Sequence, residues 1–183
     1  MSSHIRAATF EDIPALERLI EESVRALSVD YYSAQQIESS TLHLFGVDTQ
    51  LIADGTYFVV EADGQLAGCG GWSKRKTLYG GDKVKTEEDD LLDPKTEPSR
   101  IRAFFVHPNF ARRGIGRLLL ATCEKAASQA GFTALELAAT LPGEPLYAAC
   151  GFQVIERIEA TLPDGISLPI TRMGKGIASI ECA

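Results

Sequence analysis

The sequence predicts a mixed β-sheet with helices packed on it, an α/β (α+β) domain. Three observations carry this. Strand-like runs and helical stripes follow one another in the order strand, helices, hairpin, strand, helix, strand, helix, strands. No internal repeat interrupts that order. The 183 residues, 45% hydrophobic and 23% charged, suit a single domain over 1–183 with a real core.

Ile5 to Ala8 reads as the first strand. Asp12 is placed to cap the following helix, with Pro14 tolerated in its first turn. In that helix Ile13, Leu16, Leu19, Ile20, Val24 and Leu27 share one face. A weaker helix, YYSAQQIESSTLHLF, opens near Ser33. The clearest hairpin joins Thr56–Glu61 to Gln65–Trp72 through Ala62-Asp63-Gly64. A long polar stretch, Ser73 to Ser99, follows, and it reads as a solvated loop. From Asp82 to Glu97 it carries Asp82, Glu87, Glu88, Asp89, Asp90, Asp93 and Glu97 against three lysines.

Arg100–Val106 is a strand whose apolar second half suggests burial on both faces. Ile115, Leu119, Cys123, Ala126 and Ala130 form a helical stripe that Gly131 closes. Ala134–Ala139 is a strand, and a short helix around Leu146–Cys150 ends at Gly151. FQVIERIEA and ISLPITRM close the domain as two strands about a Pro163-Asp164-Gly165 turn.

The net charge of -7 argues against general nucleic-acid binding. No apolar run approaches the ~20 residues of a membrane helix. The start, MSSHIRAATFEDIP, lacks the apolar region of a secretory signal. Cys69, Cys123, Cys150 and Cys182 are scattered and form no metal or disulfide framework. The expectation is a soluble cytoplasmic protein with no metal and no membrane or nucleic-acid partner.

One segment stands out against the acidic background. From Arg100 to Cys123 there are five arginines (Arg100, Arg102, Arg112, Arg113 and Arg117) and no acid. Two glycines, Gly114 and Gly116, stand where a helix begins. The first amides of a helix lack internal partners, and its dipole adds positive potential there. Glycine lets an anion approach those amides. A phosphate-binding site is the reading. The P-loop pattern G-x-x-x-x-G-K-S/T is absent. A dinucleotide fingerprint fails as well: Leu119 holds its third glycine position, and His107 to Arg113 separate strand from glycine.

The stretch VHPNFARRGIGRLLL resembles the acyl-CoA-binding motif of the GNAT superfamily of N-acetyltransferases, Q/R-x-x-G-x-G/A. Ala111 departs from the first position; a loop that works through its backbone tolerates this. IRAATFEDIPAL resembles the family's opening strand and helix, YFVVEADGQLAGCGGWS its central hairpin, and LYAACGF a segment near its C-terminal end. The resemblance implies a GNAT-like, mixed, mostly antiparallel twisted sheet of six to seven strands with helices on both faces. It also implies acetyl-CoA as co-substrate.

By that resemblance Arg112, Arg113, Gly114, Ile115, Gly116 and Arg117 hold the pyrophosphate. Phe104, Phe105 and Val106 line the pantetheine arm, with an amide of Phe105 or Val106 polarising the thioester carbonyl. Thr140 stands where relatives often have asparagine, and it is a weaker contact to that arm. Tyr147 matches the tyrosine that protonates the leaving thiolate. No general base is evident, although Glu61, His107 and Glu136 are possibilities. The acceptor is expected to be the primary amine of a small molecule. The acidic stretch would attract it, and Trp72, Tyr79 and Tyr31 would shape its pocket. A non-catalytic acyl-CoA-binding sensor is the alternative, and a homodimer is compatible with the resemblance.

Overall fold

A computed structural model describes residues 3–85 and 89–178. Glu87 and Glu88 of the acidic stretch, and Cys182, lie outside the described residues. The elements are β1 (Ser3–Ala7), α1 (Ile13–Leu27), α2 (Ala34–His43), α3 (Thr49–Ala53), β2 (Tyr57–Ala62), β3 (Gln65–Ser73) and β4 (Ser99–Val106). They continue with α4 (Ile115–Gln129), β5 (Ala134–Thr140), α5 (Glu144–Ala149), β6 (Gln153–Thr161) and β7 (Ser167–Gly176). The seven strands form one sheet in the order β1-β2-β3-β4-β5-β7-β6. All neighbours are antiparallel except β4 and β5, which are parallel.

The apolar face of α1 (Leu16, Leu19, Ile20, Val24) packs with α2, α3 and one side of the sheet around Val59, Tyr57 and Leu168. The other side carries α4 through Ile115, Leu119, Leu120 and Cys123. The sheet is therefore covered on both faces. The expected α4 stripe drifts by one position at its end: Ala127 is buried, whereas Ala130 is exposed. Among the described residues no helix is long and apolar enough to cross a membrane.

Three local expectations change. Asp12 occupies the N-cap position of α1 but makes no side-chain cap bond to it. It instead accepts from the Thr9 amide at 2.7 Å and from Arg6 at 2.8 Å. The five-residue α3 is an added helix, capped by Asp48, whose side chain accepts from the Gln50 amide.

The third change concerns the polar stretch between β3 and β4, which is anchored rather than loosely solvated. Arg75 bridges Leu91, and Leu92 is buried in the core. Arg75 also pairs with Asp54 at 2.7 Å, and Lys83 donates to the carbonyls of Thr41, in the last turn of α2, and Phe45, just past it. The centre of the anchorage is Asp48, fully buried and bonded to Lys85 (2.8 Å) and Arg102 (2.9 Å). Asp82 accepts from the Thr49 amide, and Asp89 from the Thr77 amide. Much of the acidity that looked free for a substrate is thus engaged in holding the chain.

Candidate active site

The site begins with a failure of pairing. The parallel register of β4 and β5 covers only Ser99↔Leu135 and Arg100↔Glu136. Beyond it β5 runs to Thr140 paired with β7, while β4 continues to Val106 paired with β3. The two strands splay, and the β5-side edge of β4 from Ile101 to Val106 is left without a ladder. His107 donates its amide to Ala67 on β3 at 2.9 Å. Successive amides alternate sides along a strand, so the Val106 amide faces the splay and that of Phe105 faces β3. Of the two amides expected to polarise a carbonyl, only that of Val106 is directed to the gap.

The side chains divide as well. Phe105 packs on the α1–α2 side, edge-on to Phe45 with ring centroids 5.8 Å apart. Phe104 and Val106 pack on the α4 side, with Phe104 also against Tyr147 at 6.2 Å. Tyr147, on α5, is 7% exposed and lies between Phe104 and Phe152. Among the described residues its hydroxyl has no hydrogen-bond partner. Burial raises its pKa well above the ordinary phenol value, so the hydroxyl stays protonated. Thr140 ends β5 at the mouth of the splay, its carbonyl accepting from the Gly143 amide at 3.0 Å.

Past the end of β4 the chain makes one short 3-10 turn, Pro108–Phe110, and enters the glycine loop. Arg112 adopts φ 64° and Gly114 φ 86°, both left-handed. Gly114 is the N-cap of α4, and the first intrahelical bond runs from the Leu118 amide to its carbonyl at 3.0 Å. The amides of Gly114, Ile115, Gly116 and Arg117 are the four that a helix start leaves unpaired. A Cβ added at Gly114 would meet nothing within 4 Å, so the approach to these amides is open. At Gly116 it would lie 2.7 Å from Leu146 Cδ2, so this glycine also lets α4 approach α5.

The local positive charge is smaller than the sequence suggests. Arg100 is bonded to Glu136. Arg102 is buried against Asp48. Three arginines remain at the loop: Arg112, Arg113 (over the Phe110 ring at 5.6 Å) and Arg117 (3.8 Å from Cys150 Sγ). None of these three makes an ion pair among the described residues. An oxygen-rich anion fits this cradle of open amides and unpaired guanidinium groups.

The residues weighed as a base are all engaged. Glu136 is 3% exposed and holds both Arg100 and Arg172 at the closed end of the splay. Glu61 pairs with Arg6 at 2.8 Å. His107 lies 3.0 Å from Glu22 through Nε2, while its Nδ1 accepts from the Asn109 amide. Glu61 and His107 line a cleft of about 660 Å³ between β1, α1 and the β2–β3 turn, across β3 from the splay. Trp72 is buried against Phe132, with ring centroids 6.0 Å apart, and Tyr31 and Tyr79 are exposed.

The sequence matches the acetyltransferase (GNAT) family over residues 17–152. The chain belongs to that family. Three solved structures of the GNAT fold illustrate the likeness. One is a GCN5-related N-acetyltransferase from Rhodopseudomonas palustris, 21% identical, TM-score 0.72, covering 96% of each chain. The second is the PaiA N-acetyltransferase of Thermoplasma acidophilum in complex with coenzyme A, 18% identical, TM-score 0.66, covering 96% of this chain and 99% of that one. The third is YncA of Salmonella typhimurium, a putative acetyltransferase with acetyl-CoA, 17% identical, TM-score 0.63, covering 98% and 96%. No curated protein sequence matches. In this GNAT chain most of the predicted site residues fall into two groups around one gap, the glycine loop with its arginines and the trio Phe104, Val106 and Tyr147; Thr140 stands at its mouth, and Phe105 faces away from it.

Proposed function

We propose that this chain is an acetyl-CoA-dependent N-acetyltransferase whose acceptor is a primary amine of a small molecule. One observation carries the reading: the splay of β4 from β5 leads from the phenol of Tyr147, without a partner among the described residues, to the open amide cradle at Gly114. The cradle and Arg112, Arg113 and Arg117 would hold the pyrophosphate, and the open edge of β4 the pantetheine arm. Two fold neighbours, described with coenzyme A and with acetyl-CoA, support an acyl-CoA as the ligand.

The reaction needs few groups. The amine nitrogen attacks the thioester carbonyl carbon, and a C–N bond forms. The Val106 amide stabilises the negative charge that develops on the oxygen. The C–S bond then breaks, the nitrogen gives its proton to water, and the sulfur takes one from Tyr147. A phenol whose pKa burial raises remains a proton donor across the physiological range.

The sensor reading is favoured by a different observation. Glu61 and Glu136 are tied in ion pairs and His107 is bonded to Glu22 through Nε2, so none of these three is a free base at the splay. Thiol release from acetyl-CoA with a panel of primary amines separates the two. Amine-dependent release, lowered about 10²–10⁴-fold by Tyr147→Phe, supports the enzyme. Release that this change leaves untouched at every pH removes the acid role. Acetyl-CoA binding without release for any amine favours the sensor.

A further inference from the structure

Opposite the splay, β4 carries a bulge that the acyl-transfer reading does not use. Gly71 pairs with Arg102 and Cys69 with Phe105, so Ala103 and Phe104 lie against the single residue Gly70. Ala103 takes up the extra residue at φ 53°, a left-handed conformation that costs an alanine about 1–2 kcal/mol. A strained backbone of this kind persists where its surroundings over-determine it. Two glycines and one tyrosine do so here. A Cβ on Gly70 would lie 2.3 Å from the Phe104 ring, so its absence admits that ring on the α4 side. A Cβ on Gly71 would lie 2.8 Å from Tyr57 Cδ2, so its absence admits the Tyr57 ring on the other side.

Tyr57 stands on β2, opposite Gly71 on β3, and its ring passes over that glycine to reach β4. Its hydroxyl donates to the Ala103 carbonyl at 2.9 Å. The residue is fully buried, which keeps the phenol protonated and a donor. A hydrogen bond that skips a whole strand to hold the one left-handed residue of β4 is more than core packing requires. Phenylalanine would fill the same space.

We propose that Tyr57 is a positioning residue for acyl transfer: by holding the Ala103 carbonyl it fixes the bulge of β4, and the bulge sets where the Val106 amide points in the splay. This rests on the acyl-CoA reading of the same gap. Tyr57 touches no reacting atom. It acts on the β4 backbone, and through it on the carbonyl that β4 would polarise.

The test is Tyr57→Phe, which removes one oxygen and keeps the ring. Coenzyme A is titrated into both proteins, and the ¹³C=O stretch of bound [1-¹³C]acetyl-CoA is recorded by isotope-edited infrared difference spectroscopy. Coenzyme A affinity should be unchanged, because the Gly114 loop is untouched, and it reports that the variant is folded. The carbonyl band should sit below its free-solution frequency in the wild type and return most of the way in the variant. An equal downshift in both proteins overturns the positioning role while leaving the acyl-CoA reading in place. Absence of coenzyme A binding to the wild type overturns that reading, and the present inference with it. A variant that loses coenzyme A affinity in proportion to the band shift makes Tyr57 a general support of the fold, which also overturns the proposal.

Discussion

Replacing Asp48 by asparagine isolates the worth of one buried charge. Asp48 is wholly buried, and the Arg102 side chain is 2% exposed. Asparagine caps a helix about as well as aspartate, so the bond to the Gln50 amide at the start of α3 survives. What is lost is the anion facing two cations. Breaking a buried pair by removing one partner costs about 3–5 kcal/mol, because the other charge stays buried. Two features place this case at the low end. Arg102 keeps the carbonyls of Thr77 and Gly80 as acceptors. Lys85, 16% exposed, has Asp89 Oδ2 3.7 Å away. The expected loss is therefore about 3 kcal/mol, which for a chain of this length lowers Tm by about 6–12 °C. Urea unfolding followed by the fluorescence of Trp72, the sole tryptophan and a buried one, measures it directly. Raised salt should barely change the difference, since a dry pair is poorly screened. A loss below about 1 kcal/mol would put the pair in the class of solvated surface bridges and refute the argument.

The glycine loop gives two outcomes from one substitution type. Gly114→Val strains a left-handed residue and covers the open amides, so coenzyme A affinity should fall sharply in calorimetry with α5 undisturbed. Gly116→Val drives into Leu146, so it should lower Tm through lost packing as well, and a Tm equal to that of the unsubstituted protein would contradict the packing role. The Arg6 guanidinium holds the Asp12 carboxyl down to about 2, chiefly by hydrogen bonding. The folded pKa is depressed, so its stabilisation is complete above about pH 4 and fades as pH falls towards 2. Asp12→Asn should cost about 1 kcal/mol at pH 7, after screening around Arg6, whose side chain is 33% exposed, and progressively less as pH falls through 2; a pH-independent difference in urea unfolding argues against the linkage.

What the sequence disclosed follows from the range of the interactions involved. The β2–β3 hairpin and the apolar face of α1 are local patterns, and both appear within two residues of their expected bounds. The glycine loop was legible because a helix start is a local event too. The polar stretch misled because its anchors are distant: Lys85 reaches Asp48, Arg75 reaches Asp54, and Arg102 is buried by a residue 54 positions away. Helix α3 is too short to show a period. Glu136 stood among the possible bases, yet its carboxylate is held by Arg100 and Arg172, one on each neighbouring strand. The bulge at Ala103 left one trace, the run Gly68-Cys69-Gly70-Gly71, whose glycines make sense only once Phe104 and Tyr57 lie over them.

Everything proposed for the site depends on an acyl-CoA lying along β4 with its pyrophosphate at Gly114. Calorimetric titration of the purified protein with acetyl-CoA, coenzyme A and NAD tests this most directly. The account predicts saturable binding of both coenzyme A species, abolished or strongly weakened by Gly114→Val, and no comparable binding of NAD. No heat from either coenzyme A species, with the protein shown to be folded, would contradict it and leave the glycine loop as a helix start alone.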